Sequence, residues 1–301
     1  MASSTNGSAS TNGSASTNGS ASTNGSASTN GSASTNGSAS GPLRIAMWSG
    51  PRNLSTALMR SWGSRADTVV VDEPLYAHYL AETGLDHPGR ADVLASQPTD
   101  WRIVAEQLSG PVPEGAPIFY QKHMAHHLLP SVSRAWLDAP GFRHVFLLRD
   151  PAAMLASLVK VLGEDVRVED TGLPQQVELF MRIADRDGLA PPVVRARDIL
   201  ADPASQLRAL CDALGVCFDL AMLSWSPGPR PTDGVWAKHW YGAVERSTGF
   251  GPQRSAAAAV PSSCASALGQ CERLYRELEP FALAPSPYDK LGRTPSSPTL
   301  E

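Results

Sequence analysis

The chain has 301 residues, with 29 acidic and 25 basic side chains and a formal net charge of −4. This balance argues against a general nucleic-acid binder, because neutralising phosphates requires a basic face. We find no apolar run long enough to span a bilayer and no apolar core of a signal peptide. We therefore expect a cytoplasmic protein with neither nucleic-acid nor membrane partners.

The first 40 residues differ in composition from the rest of the chain. Residues 5–40 are six perfect copies of Thr-Asn-Gly-Ser-Ala-Ser, without any charged, aromatic or large aliphatic side chain. Such a segment buries almost no apolar surface and cannot offset the entropy lost on ordering. The sequence thus predicts a disordered low-complexity tail or linker, native or engineered, over residues 1–40. It predicts one folded domain over residues 41–285 and a disordered tail over residues 286–301.

From residue 43 onward, short β-rich apolar runs alternate with longer helical stretches. The predicted strands cover residues 43–49, 68–72, 118–121, 144–148 and 193–196. The predicted helices cover residues 55–64, 151–162 and 203–214, the last closed by Gly215. This order predicts βαβ units and an α/β single domain with a central parallel sheet flanked by helices, preceded by the disordered repeat tail. Ligands bind at the carboxyl ends of the strands in such sheets, so candidate residues follow each strand.

A candidate phosphate-binding loop joins the first predicted strand to the first helix. Its candidate ligand-binding residues are Ser49, Gly50, Pro51, Arg52, Asn53, Ser55 and Thr56. Gly50 and Pro51 shape a turn, the helix start presents free N–H groups, and Arg52 adds a forked cation. No Gly-Lys-Ser or Gly-Lys-Thr occurs in the chain, which counts against an ATPase or GTPase. An ordinary helix capped by Asn53 or Ser55 has the same pattern, so the loop alone leaves both interpretations open.

A second candidate phosphate element follows the fourth predicted strand. Arg149 stands at the strand end, Pro151 opens the next helix, and Ser157 comes eight residues after Arg149. A cation at the strand end and a hydroxyl on the following helix suit a phosphate group. An Arg149–Asp150 surface charge pair of little energetic consequence is the alternative.

These elements, in this order, resemble the sulfotransferases that use 3′-phosphoadenosine 5′-phosphosulfate (PAPS). Residues 43–250 are most similar to a bacterial-type branch, through the phrases WSGPRNLST, DEPLY and GVWAKHW. The resemblance implies a P-loop NTPase-like fold, PAPS as sulfuryl donor and 3′-phosphoadenosine 5′-phosphate (PAP) as product. It implies that residues 49–56 hold the 5′-phosphosulfate, while Arg149 and Ser157 hold the 3′-phosphate.

The segment of residues 233–240 is similar to the family's loop that closes over the 3′-phosphate. This similarity makes Trp236 and Lys238 candidate donor-binding residues. The Arg-Lys pair that precedes this loop in the family is missing here, and Arg230 is the nearest upstream cation. Two tryptophans four residues apart, Trp236 and Trp240, are equally typical of helix packing.

The family resemblance also implies the candidate catalytic residues. The second predicted strand ends in Asp72-Glu73-Pro74, where the resembling branches place a glutamate that acts as the acceptor's base. The third ends in Gln121-Lys122-His123, similar to a Lys-x-His element of cytosolic sulfotransferases. We assign Glu73 as the base, Lys122 to the bridging oxygen of the donor, and His123 as the second candidate base.

The expected function is transfer of a sulfuryl group to a hydroxyl or amine of a small-molecule acceptor by in-line displacement. His123, His126 and His127 have helical metal-ligand spacing, but no nearby carboxylate or cysteine completes a site, so we expect no metal. Two alternatives stay open: a nucleotide-dependent small-molecule kinase on the same fold, and a non-catalytic nucleotide-binding protein. The sequence identifies neither the acceptor nor the oligomeric state.

Overall fold

The computed structural model describes residues 41–251 and 259–286. The predicted tail over residues 1–40 lies outside the described residues, as does nearly all of the one predicted over 286–301, and both stay predictions. The strands are β1 (Leu43–Ser49), β2 (Thr68–Asp72), β3 (Ile118–Met124), β4 (Phe142–Leu148) and β5 (Val193–Arg195).

Helices connect the strands and cover both faces of the sheet. The α-helices are α1 (Ser55–Trp62), α2 (Tyr76–Thr83), α3 (Arg90–Ser96), α4 (Trp101–Ser109), α5 (Pro151–Leu162), α6 (Leu173–Asp187), α7 (Ala196–Ala201), α8 (Pro203–Leu214), α9 (Ala237–Trp240), α10 (Gly242–Glu245) and α11 (Ala265–Leu278). Short 3₁₀ helices lie at Pro113–Gly115, Ala125–His127, Ala135–Asp138, Val168–Thr171, Leu220–Leu223, Ser262–Cys264 and Glu279–Phe281.

The five strands form one parallel sheet in the order β2-β3-β1-β4-β5. This confirms the predicted fold class, an α/β domain with a central parallel sheet flanked by helices. β1 is central: its last residue, Ser49, is level with Met124 on β3 and Leu147 on β4. Because all strands run the same way, the residues that follow β1, β2, β3 and β4 meet at one edge of the sheet.

The two faces of the sheet carry separate apolar clusters. Trp48, Phe119 and Phe146 pack on one face, beneath α4, α5, α6 and α11. Met47 and Tyr120 pack on the other, beneath α1, α7 and α8. Successive residues of a strand point to opposite faces, and both faces are buried, so β1 reads as a nearly continuous apolar run.

The element bounds follow the sequence pattern with a few differences. β3 runs three residues beyond its predicted end at residue 121, because Lys122 and His123 are polar but buried within the sheet. The helix from residue 203 to 214 has its predicted bounds, and Gly215 closes it in the left-handed conformation (φ 72°). None of the helices between residues 41 and 251 or 259 and 286 combines the length and apolarity that a bilayer-spanning segment requires.

Candidate active site

The loop between β1 and α1 is held in place by close contacts with neighbouring elements. Gly50 is buried, and a Cβ atom at this position would lie 2.3 Å from the carbonyl oxygen of Thr171. Only glycine therefore lets the loop approach this backbone. On the other side, Asn53 Nδ2 donates to the carbonyl oxygen of Leu147, at the end of β4, over 3.0 Å.

The start of α1 is free of side-chain caps. Its N-cap residue is Leu54, which makes no capping hydrogen bond, and Ser55 is already the first helical residue. Asn53 accepts only from the adjacent N–H of Leu54, at 2.8 Å. Neither Asn53 nor Ser55 is thus the N-cap, so the first-turn N–H groups remain available to an anion.

Arg52, Arg149 and Ser157 come together beside this helix start, and we refer to them as the arginine cluster. Arg52 Nε donates to Ser157 Oγ over 3.1 Å, and Arg149 Nη1 donates to the carbonyl oxygen of Arg52. Burial and the neighbouring charge of Arg52 lower the pKa of Arg149. Within residues 41–251 and 259–286, neither guanidinium forms an ion pair with a carboxylate.

The carboxylate beside Arg149 has another role. Asp150 is the N-cap of α5 and accepts from the N–H of Ala153 over 2.9 Å. No Arg149–Asp150 salt bridge forms within the described chain, so the surface-pair alternative is wrong in this geometry. Two cations held side by side without a carboxylate partner favour a ligand that carries more than one negative charge.

A second cluster of polar side chains lies at the ends of β2 and β3. Lys122 Nζ lies 2.6 Å from Glu73 Oε1, 2.8 Å from Asp72 Oδ1 and 2.7 Å from the Tyr241 hydroxyl. The Tyr241 hydroxyl donates to Asp72 Oδ2 over 2.7 Å and accepts from Trp236 Nε1 over 3.1 Å. We call Asp72, Glu73, Lys122 and Tyr241 the lysine network.

The lysine network is buried, and Glu73 is its most accessible side chain. The side chains of Lys122 and Asp72 are 1% and 2% exposed, whereas that of Glu73 is 12% exposed. Burial raises the pKa of Glu73, and the Lys122 charge partly opposes this shift. Burial alone would lower the pKa of Lys122, but the carboxylates of Asp72 and Glu73 raise it well above its ordinary value. Lys122 therefore stays charged, and Glu73 is the carboxylate that an acceptor can reach.

Lys122 makes contacts that do not fit its expected role at the bridging oxygen of the donor. Its ammonium group has three N–H donors, and the three oxygens of the network occupy them all. No donor is left for a bridging oxygen in this arrangement. Lys122 instead fixes the position of the Glu73 carboxylate.

His123 lies on the other face of the sheet from Lys122, because the two residues are adjacent in β3. Its ring stacks on Trp48 with 4.2 Å between centroids, and its Nε2 lies 3.2 Å from Gln121 Oε1. Burial lowers the pKa of His123 to about 3. The structure therefore does not bring His123 to Glu73, and this position argues against its use as a base.

His126 and His127 do not form a helical metal face with His123. They lie in a 3₁₀ helix that follows β3, and their rings contact each other with 4.4 Å between centroids. Tyr76 stacks on His127 at 4.8 Å, and Tyr79 meets His126 edge-on at 5.2 Å. These contacts assign both histidines to aromatic packing beside the lysine network.

Three predicted donor-binding side chains have other partners. Trp236 is 1% exposed and packs among Tyr76 and Tyr241 on the side of the lysine network. Lys238 Nζ pairs with Asp92 Oδ2 of α3 over 2.7 Å. Ser49 is fully buried in the sheet, where only weak contacts of 3.5 Å or more reach its hydroxyl. The structure places none of these side chains in the arginine cluster.

Sequence reasoning missed Tyr241, and it noticed Asp72 only as the neighbour of Glu73. Asp72 and Tyr241 are separated by 169 residues, and no local pattern relates them. The segment that carries Tyr241 is anchored separately: Arg60 of α1 forms a buried ion pair of 2.5 Å with Asp233, and the Gly234 N–H donates to Asp72 over 3.1 Å.

The chain is similar in sequence to a known domain family and to curated proteins. The sequence profile of the sulfotransferase domain matches residues 43–267. Among curated proteins, the chain is similar to branched-chain-amino-acid aminotransferase-like protein 1 of Arabidopsis thaliana, with 38% identity over 69% of this chain and 37% of that protein. Branched-chain-amino-acid aminotransferase-like protein 2 of the same plant is 34% identical over 78% of this chain and 41% of that protein. The chain thus spans about two fifths of the length of these relatives.

Among solved structures, the sulfotransferase domain of the Synechococcus PCC 7002 olefin synthase is similar to this chain. The two are 20% identical, with a TM-score of 0.46, over 76% of this chain and 94% of that domain. The profile match covers all five strands, most of the helices, and both the arginine cluster and the lysine network. On that match, the chain belongs to the sulfotransferase domain family.

Proposed function

We propose that this protein transfers the sulfuryl group of PAPS to a hydroxyl or amine of a small-molecule acceptor. The observation that carries the proposal is the pair of unneutralised guanidiniums, Arg52 and Arg149, at the same sheet edge as the buried carboxylate Glu73. The cations suit an anionic donor, and the carboxylate suits proton removal from an acceptor. Membership of the sulfotransferase domain family supports this reading of the two groups.

The donor side of the site consists of the loop over residues 49–56 and the arginine cluster. The free N–H groups at the start of α1 and the Arg52 guanidinium would hold the 5′-phosphosulfate. Arg149 and Ser157 would hold the 3′-phosphate. The residues present fit such a group, because their positive charges lack carboxylate partners among the described residues.

The acceptor side consists of the lysine network. Bound PAPS supplies a sulfuryl group whose bond to the phosphate oxygen breaks as the acceptor oxygen or nitrogen forms a new bond to sulfur. Glu73 takes the proton that the acceptor loses, and its raised pKa makes it a stronger base than an exposed glutamate. Lys122 and the Tyr241 hydroxyl hold Glu73 and its neighbour Asp72 in place, so we assign Lys122 and Tyr241 as positioning residues.

Titration calorimetry of the full chain with PAP and, separately, with ATP tests this proposal. We expect PAP to bind and ATP to bind far more weakly. The Arg149→Ala variant should lose roughly 1.5–3 kcal/mol of PAP affinity, about 10-fold to 150-fold, because a charge-assisted contact disappears. Arg143→Ala is the matched control, since Arg143 is exposed at the start of β4, whereas Arg149 follows the end of that strand.

The outcomes separate the alternatives. Binding of ATP in preference to PAP would support the kinase interpretation. Wild-type affinity for PAP in Arg149→Ala would remove Arg149 from the 3′-phosphate site. If PAP binds but no hydroxylated or amine acceptor in a broad panel releases PAP from PAPS, the non-catalytic interpretation gains support.

A further inference from the structure

The two edges of the sheet are closed to different extents. At the β5 edge, Ala282 forms a parallel bridge with Val193, and the Leu283 N–H donates to the Val193 carbonyl oxygen over 2.9 Å. At the other edge, β2 pairs with β3, and no strand within residues 41–251 and 259–286 covers its outer side. The fold thus caps one edge and leaves the other open.

The outward-facing peptide groups of β2 can be identified from its contacts with β3. The Asp67 carbonyl oxygen accepts from β3 over 3.1 Å, and the Glu73 N–H donates to β3 over 2.9 Å. Because peptide groups alternate along a strand, those of Thr68 and Val70 face away from β3. Natural proteins protect open edges with lysine, proline or bulges, and Thr68–Val71 has none of these.

A groove of about 900 Å³ lies along this edge. Val70 and Gly63 line one side of it, and Leu108 and Phe119 line the other. The valines at residues 69–71 are half-buried, so apolar surface on both sides of the strand remains accessible. The shape of the groove, its apolar lining and the outward-facing peptide groups of β2 suit the binding of an added β-strand.

Opposite charges stand at the two ends of the groove, and a further exposed acid, Glu106, also lines it. Arg230 lines the end near Asp72, where the Gly234 N–H bonds to Asp72. Glu114 lines the other end, shortly before Ile118, which pairs with Thr68. Over the described part of the chain, neither side chain has an ion-pair partner.

Glu114 is also held in an unfavourable backbone conformation. Its φ is 57°, in the left-handed region that suits glycine, although Gly115 stands next to it. Such strain costs on the order of 1–2 kcal/mol at a non-glycine residue. Glu114 is exposed, so its charge can reach a partner.

We propose that the β2 edge pairs with the β2 edge of a second copy of this chain, antiparallel and about a two-fold axis. An antiparallel arrangement places Arg230 of each copy near Glu114 of the other, which forms the same ion pair twice. A parallel arrangement would bring like charges together. A two-fold interface uses the same patch on both copies, so that patch must be complementary to itself. The β2 edge is self-complementary because it carries opposite charges at its two ends.

Sedimentation velocity of the full chain over about 1–100 µM tests this proposal, a range suited to a small interface. We expect a concentration-dependent species of twice the 31.9 kDa mass of one chain. Arg230→Glu and Glu114→Arg should each raise the dimer Kd roughly tenfold or more, because each places like charges at both ends. The double variant, Arg230→Glu with Glu114→Arg, should restore dimerisation by exchanging the charges.

Arg143→Glu, at an exposed arginine of β4, is the control and should leave the dimer unchanged. A wild-type chain that stays monomeric throughout the range overturns the proposal and assigns the groove to another occupant. A dimer that survives both single reversals, or a double variant no better than either single one, overturns it as well.

Discussion

Removing the charge of Lys122 is the sharpest perturbation of the site. Lys122 is buried and contacts two carboxylates, so Lys122→Met leaves Asp72 and Glu73 as adjacent buried negative charges. Breaking a buried ion pair from one side costs about 3–5 kcal/mol. The free energy of unfolding of a typical domain is only about 5–15 kcal/mol, so the loss should be large.

The stability lost in Lys122→Met should increase as the pH rises. Without Lys122, burial and the Asp72 charge still raise the pKa of Glu73, and the opposing contribution is gone. The folded variant then binds more protons than the unfolded chain at and above the ordinary glutamate pKa, so its stability falls as pH rises. We expect a larger deficit at pH 8 than at pH 5.5.

Urea unfolding followed by tryptophan fluorescence at both pH values measures this deficit. Lys160→Met, at an exposed lysine near the end of α5, is the control for loss of a charge alone. Adding Asp72→Asn to Lys122→Met removes the repulsion, so the double variant should lose less stability than the two single variants summed, by about 1 kcal/mol or more. A deficit below about 1 kcal/mol at pH 8, or additive losses, would refute the buried network.

Two further results are expected. Glu73→Gln should suppress sulfuryl transfer while PAP affinity stays nearly unchanged, with the exposed Glu82→Gln as control; full activity in Glu73→Gln would move the base elsewhere. The pKa values of His123, His127 and His144 are lowered by burial, to about 3 for His123 and about 4 for His144. The unfolded chain therefore takes up protons below pH 6.5 that the folded chain excludes, so urea unfolding should show a loss of roughly 1.5 kcal/mol for each of His123 and His144 between pH 6.5 and 5, and a further loss from His127. A stability that does not change over this range would contradict the burial of these rings.

The fold could be predicted from sequence because its strands are short apolar runs between helical stretches. The pairing of Arg149 with Ser157 could also be predicted, since Arg149 follows β4 and Ser157 lies on the next helix. The approach of Arg52 to both could not, because it depends on β1 and β4 being neighbours in the sheet. The family resemblance added the expectation that PAPS is the donor, which geometry alone does not supply.

The local sequence does not show which of Lys122 and His123 faces the site. Adjacent strand residues must face opposite sides, but which side meets the site depends on the packing of helices that lie far away in the chain. Tyr241 was missed for a similar reason, because its contact with Asp72 spans 169 residues. Trp236 and Lys238 were assigned to donor binding by analogy with a loop of the family. In this chain, Trp236 instead packs beside Tyr241, and Lys238 instead pairs with Asp92.

The backbone conformations of Arg52 and Glu73 have a consequence for engineering. With Glu114, they are the non-glycine residues with positive φ among those described, at 56° and 39°. Glycine would relieve this strain at both positions, but Glu73→Gly would also remove a carboxylate from the buried lysine network, so only Arg52→Gly should cost the fold little. A library selected for thermal tolerance alone would therefore accept Arg52→Gly and lose the guanidinium of the proposed donor site without any loss of folded protein. Selection for stability in this chain therefore requires that Arg52 be kept fixed.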